Sequence, residues 1–345
     1  MPPMSGPRRA LRAALVSLGS AFSAGCAGIG NVPGGTPLAV PAIREAPPVA
    51  VQNAHYLYAA QGFYSSSAVY RYRLHADGLP SKKPDGVLKL NFPFPGSIAV
   101  GPNGDLYVSS SGGGSGCGQT LCFVAVFAPG ALGNAKPIRV LYVPQTPVFL
   151  AVDQRGYLDV STHPGWRRPV ANVYRPGAQG NDSPIHEIAV PGLNALGARR
   201  GIVYIQTNAI GVGVEAVPEH PFNRPPVFYT YGYNYSSNGV ATDATHLYAQ
   251  FFWPAGSAYD LATAVYYIDQ PGPPIRTIVA TGCTVSRNGG ALGYGLAIYK
   301  KYLFEGCLNA PGGDGAVQVY DSTKSGPQKP IIAVRGGDTG VAIGP

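Results

Sequence analysis

At 345 residues, with 47 glycines, 34 prolines and 22 tyrosines but only 12% charged side chains, the chain is rich in turn and strand formers and poor in helix-surface residues. That composition argues against a helical bundle or coiled coil and makes an all-β protein the expectation. The formal net charge of +8 comes from scattered basic residues without a cluster of interleaved aromatics, which argues against nucleic acid as a partner.

The first 26 residues place Arg8, Arg9 and Arg12 before an uncharged run from Ala13 to Gly25. That is the layout of an export signal, too short for a membrane span. The segment SAGC resembles a bacterial lipobox, with Ser23 where that family usually has Leu. The resemblance implies lipidation of Cys26 and an extracytoplasmic protein, anchored in the cell envelope by its lipid. Simple cleavage nearby, giving a secreted protein, and a retained anchor are the alternatives. Residues 27–50 are low in charge and rich in Pro, Gly and Ala, and read as a tether. Residues 51–345 then form one domain. Without the three signal arginines, 22 basic residues face 17 acidic ones, a net charge of +5. The pairs Lys82-Lys83, Arg167-Arg168, Arg199-Arg200 and Lys300-Lys301 fall in predicted loops and turns, where they are solvated.

Along the domain a strand-turn-strand unit recurs. It is clearest in SIAVGPNGDLYVSSS (97–111) and VFLAVDQRGYLDVST (148–162), and weaker in the stretches 193–207, 238–252 and 294–307. A second strand, AHYLYAAQ (54–61), stands without its first strand near the front, and TGVAIGP (339–345) matches the start of SIAVGP. Six third strands follow: 68–74, 124–130, 171–177, 214–220, 264–270 and 317–323. After each comes a fourth strand opened by a proline, namely Pro84, Pro137, Pro184, Pro226, Pro274 and Pro330. Proline has no backbone donor, so these strands are expected at an outer edge.

Four strands repeated six times predict a six-bladed β-propeller. Residues 340–344 are expected to supply the innermost strand of the blade whose other strands lie in 56–90, closing the ring. A seven-bladed ring with one blade unrecognised and a pair of β-sandwiches are the alternatives. The segments IAVGPNGDLYVSS and LAVDQRGYLDVST resemble the core of NHL-type repeats and of lactonase-like six-bladed propellers. The resemblance spans residues 54–345 and rests on repeat pattern, not on a catalytic motif.

Five cysteines become four once Cys26 is given to the lipobox. Three pairings of the four are possible, and the expected one joins Cys117 to Cys122 and Cys283 to Cys307. Neither spacing is that of a zinc site.

In a propeller the loops from strand two to strand three share one face with the channel mouth. On that face are expected Phe63, Tyr64, Trp166 and Trp253, with Tyr231, Tyr233 and Tyr235 nearby. Such rings suit stacking on a sugar or packing on a peptide or protein; capping of blade ends is their plainer role. The lactonase-like resemblance implies a divalent, calcium-like metal over the channel, for which Glu305, Asp260, Asn309 and Asp314, with Asn208 and Asn238, are the weak candidates. None lies in the family's ligand pattern, so no cofactor is expected. Asp153 and Asp243 are assigned to turns on the far face, and the chain has no G-x-S-x-G or H-E-x-x-H. The expectation is a monomeric, non-enzymatic platform binding a protein, peptide or glycan, with a metal-dependent hydrolase or lyase as the alternative.

Overall fold

The computed structural model describes residues 55–62, 67–93, 95–110, 122–163, 169–189, 192–207, 213–218, 227–230, 236–255, 258–268, 270, 272–286, 295–307 and 315–345. Among them every regular element is a β-strand, and the strands form a six-bladed propeller. Blade 1 holds β1 (Tyr56–Gln61), β2 (Ala68–Arg73) and β3 (Gly86–Lys89). Blade 2 holds β4 (Pro95–Val100), β5 (Leu106–Ser110), β6 (Phe123–Phe127) and β7 (Arg139–Tyr142). Blade 3 holds β8 (Thr146–Val152), β9 (Leu158–His163), β10 (Val170–Tyr174) and β11 (His186–Ala189). Blade 4 holds β12 (Leu193–Arg199), β13 (Ile202–Thr207), β14 (Gly213–Pro218) and β15 (Val227–Thr230). Blade 5 holds β16 (Ser236–Thr242), β17 (His246–Ala255), β18 (Ala258–Tyr267) and β19 (Arg276–Ser286). Blade 6 holds β20 (Leu296–Tyr299), β21 (Tyr302–Cys307), β22 (Ala316–Asp321) and β24 (Ile332–Arg335), while β23 (Gly326–Gln328), in the connection between β22 and β24, joins the sheet of blade 5. The last strand, β25 (Gly340–Gly344), returns to blade 1 and pairs antiparallel with β1, Ile343 opposite Leu57 and Val341 opposite Ala59. The expected closure is therefore the observed one.

Successive side chains of a strand point to opposite faces of its sheet, and here both faces must be apolar because each meets a neighbouring blade. In β1, Leu57 and Ala59 pack into the seam with blade 6, while Tyr58 and Ala60 pack into the seam with blade 2. Each of the six seams has its own apolar cluster of this kind. Tyrosines reach across them with their polar ends: Tyr72 donates to the Arg335 carbonyl at 2.8 Å. Burial pushes its hydroxyl pKa up to about 12.

The turns within the first hairpins are held by aspartates, as expected. Asp153, its side chain 0% exposed, accepts the Arg155 N–H at 2.8 Å and the Tyr157 N–H at 3.0 Å. Its second oxygen pairs with Arg155 Nε at 2.7 Å. Asp243 accepts the N–H groups of Thr245 and His246 and the hydroxyl of Tyr248, each at 2.7 Å. Burial would raise its pKa, but these hydrogen bonds and the neighbouring His246 bring it below the usual carboxylate value.

The fourth strands differ from expectation in two ways. Each described proline stands before its strand and not in it; Pro84, Pro137, Pro184, Pro274 and Pro330 are two residues ahead of β3, β7, β11, β19 and β24. The residue between keeps its N–H for the third strand, as Ile138 N donates to the Val126 carbonyl at 2.8 Å and Ile331 N to that of Val319 at 2.8 Å. Nor is the fourth strand always outermost. In blade 1, Gly133 of the next blade bridges parallel to Leu88; in blade 2, Gly180 bridges to Leu141; in blade 5, β23 pairs parallel with β19. A connection from the following blade thus covers edges that would otherwise offer unpaired N–H and C=O groups.

Candidate functional site

The six inner strands enclose a cavity of about 40 Å³ lined by residues that include Ile98, Leu150, Leu196, Val240, Leu296 and Val341. A water needs roughly 10–15 Å³ by this measure, whereas small-molecule pockets run to several hundred. A cavity of that size accommodates a few waters and no sugar-sized ligand.

Blade 5 is built differently from the rest. Its β17 and β18 are ten residues each, against five or six in the second strands of the other blades. Their ladder runs unbroken from His246 opposite Tyr267 to Ala255 opposite Ala258. The extension carries Phe252, Trp253, Tyr259 and Asp260, all partly exposed. Trp253 lies edge-on to the buried Phe251 at 6.0 Å between centroids and packs on the blade 4–5 seam. Phe252 packs on the blade 5–6 seam and meets Tyr259 at 6.1 Å. Trp253, expected in a loop, therefore stands in a strand, where cross-strand pairing with Asp260 fixes it; the run FFWPAGSAYD continues the strand pattern on both sides of its turn.

A β-bulge braces this ridge. Pairing of β18 with β19 jumps from Asp260 opposite Thr284 to Leu261 opposite Ala280, leaving Thr281, Gly282 and Cys283 unmatched. Gly282, with φ +120°, takes a conformation that a side chain would strain. The extra residues reach blade 6: Thr281 Oγ1 donates to the Gln328 carbonyl at 2.8 Å, and Gln318 Nε2 donates to the Gly282 carbonyl at 3.1 Å. Cys283 is joined to Cys307 of β21. The expected 283–307 bond is thus present, and it ties the fourth strand of one blade to the second strand of the next. Cys122 is also disulfide-bonded, and Cys117 lies outside the described residues.

Beneath the ridge, the blade 5–6 seam holds a polar group among apolar ones. Glu305 is 0% exposed and accepts the Thr263 hydroxyl hydrogen. Burial pushes its pKa up to about 7, while the Thr263 hydroxyl and the neighbouring Gln250 amide pull the other way. Gln250 is itself packed against Gly239 of the channel wall, where an added Cβ would come within 2.3 Å of its Oε1. Gln206 of blade 4 donates to the Gln250 backbone carbonyl. Tyr320 donates to Gln318 in the same seam, and burial with the adjacent Glu305 and Asp260 pushes its pKa up.

These placements separate the metal-ligand candidates. Glu305 faces the seam between blades and Asp260 lies on the ridge, while Asn309, Asp314 and Asn208 fall outside the described residues. Asn238 lies in β16. Among the described residues no three carboxylates, imidazoles or thiols converge. Phe63, Tyr64, Trp166, Tyr231, Tyr233, Tyr235 and Cys26 also lie outside the described residues, as do the signal and tether segments. Glu305 was named as a ligand candidate; its role as a buried acid was missed, because nothing in YLFEGC marks which face of the strand meets Thr263.

No protein-family model matches the chain, and no curated protein is found similar to it. Solved structures are similar in fold. Apo AztD from Citrobacter koseri shares 12% identity over 84% of this chain and 98% of its own, with a TM-score of 0.42. A candidate 6-phosphogluconolactonase from Bacteroides uniformis shares 10% over 78% and 79%, with a TM-score of 0.48. A candidate oxidoreductase (glucose dehydrogenase) from Thermus thermophilus shares 16% over 71% and 84%, with a TM-score of 0.42. At these values they assign no activity to this chain.

Proposed function

We propose that the protein is an exported β-propeller that binds a glycan, peptide or protein through the ridge of blade 5 and uses no chemistry of its own. The observation that carries this reading is the extension of β17 and β18, which puts Phe252, Trp253 and Tyr259 beside Asp260 on a paired and bulged sheet. Aromatic surface held on strands, and not on a free loop, loses little conformational entropy on binding. The Cys283–Cys307 bond holds one flank and supports residence in an oxidising compartment. The hydrolase alternative draws less support, since Glu305, a buried acid with a raised pKa, is wholly enclosed between blades.

The test uses the intrinsic fluorescence of the two tryptophans, Trp166 and Trp253, in titrations with soluble oligosaccharides and with extended peptides. Saturable quenching that disappears in Trp253→Ala, while the thermal melt is kept, is the expected result. A ligand bound equally well by Trp253→Ala would overturn the assignment to this ridge.

A further inference from the structure

Blades 2 and 5 share two positions at the end where their first hairpins turn, and fill one of them differently. In each, the turn is closed by a bond to the carbonyl of the residue just before the buried leucine of the second strand: Gly101 N donates to Asp105, and Asp243 N to His246. In each, the fourth strand begins with an arginine two residues after its proline, Arg139 in β7 and Arg276 in β19. The Nε of either arginine is buried without a hydrogen-bond partner; the difference between the blades lies at Nη2. In blade 2, Arg139 Nη2 donates to Asp105 Oδ2 at 2.7 Å, an ion pair. Blade 5 keeps the arginine and has His246 in place of the acid, its Nε2 3.4 Å from Arg276 Nη2. A neutral imidazole nitrogen accepts a hydrogen bond there but brings no negative charge. Among the described residues no carboxylate pairs with Arg276.

His246 stands opposite Tyr267, and Val265 stands between Tyr248 and Arg276. Opposed residues and those two apart share a face of the sheet, so all five lie on the side of blade 5 that meets blade 6. The imidazole stacks on Tyr267 with centroids 5.6 Å apart, and that tyrosine is 46% exposed. Lys324, its side chain 71% exposed, precedes Gly326 by two residues, as Arg276 precedes its parallel partner Ile278; a second cation therefore stands at the same end. The acids beside these groups are already engaged. Asp243 accepts from Thr245, His246 and Tyr248, and Asp321 from Thr323 and Lys324. We propose that Arg276, with His246, Tyr267 and Lys324 around it, binds the carboxylate of a small ligand, which takes the place that Asp105 holds in blade 2. A half-buried guanidinium gains from such an anion because its fork presents N–H groups to both oxygens of a carboxylate where little water screens them. The site is seven residues along β17 from Trp253, about 23 Å by the rise of a strand, and is independent of the ridge.

The experiment is isothermal titration calorimetry of the full chain at low ionic strength with D-glucuronate and with N-acetylglycine, against D-glucose and inorganic phosphate. Saturable binding of a carboxylate, with none of glucose, is the expected result, and the tighter of the two acids tells a sugar acid from a peptide terminus as the source. Arg276→Gln should weaken that binding about tenfold or more, with a thermal melt run alongside. His246→Asp supplies the acid of blade 2 from within the chain and should abolish binding while the cooperative melt is kept, which loss of structure does not do. Failure of both acids to bind the native chain, tighter binding of phosphate than of either acid, or undiminished binding by Arg276→Gln or His246→Asp would sink the proposal.

Discussion

Glu305→Gln changes one atom of a wholly buried acid and separates charge from shape. The amide keeps the carbonyl oxygen that accepts from Thr263 but cannot ionise. In the native chain the carboxyl pKa rises from 4.5 to about 7 because burial disfavours the anion. At about 1.4 kcal/mol per unit, that is roughly 3 kcal/mol. The sign follows from proton counting. Below the unfolded value both states hold the proton and the group is neutral to stability. Between the two values the folded state holds more protons than the unfolded, so stability falls as pH rises, and above about 7 the whole cost is present. Urea unfolding of wild type and Glu305→Gln at pH 4.5, 6 and 8 is the assay. The difference between them cancels the other titrating groups, including Asp243. The variant should match wild type within about 1 kcal/mol at pH 4.5 and exceed it by about 2–3 kcal/mol at pH 8. Parallel stability-against-pH curves for the two proteins would refute the argument.

Three further outcomes follow from the same structure. Cys283→Ser with Cys307→Ser frees a loop of 24 residues and should cost about 3 kcal/mol in the chain-entropy model, read as a lower denaturation midpoint. Asp153→Ala strands the N–H groups of Arg155 and Tyr157 and should lower stability by about 2–3 kcal/mol, with Asp153→Asn recovering part of the loss. Tyr72→Phe removes the bond to the Arg335 carbonyl and should cost about 1 kcal/mol, measured by thermal unfolding with the fold retained.

Blade number, strand order and the return of residues 340–344 to the first blade could be read from the sequence. Each rests on a pattern that recurs at short range, because one blade is one stretch of chain and its pairing is set by local turns and alternation. The glycine and aspartate turns of SIAVGPNGDLYVSSS and VFLAVDQRGYLDVST, and the prolines ahead of the fourth strands, are local signals of this kind. The cysteine pairing of 283 with 307 was also expected, from count and spacing. Only the tertiary structure decided what happens between blades. Thr263 meets Glu305, Gly133 covers the edge at Leu88, and β23 covers β19; each contact joins different repeats, and no local pattern records which faces meet. The bulge that turns Cys283 toward blade 6 and the ten-residue strands that raise Trp253 are departures from the repeat, so reading by periodicity passes over them. What makes this propeller different from a regular one was for that reason hidden in the sequence and visible only once its seams were assembled.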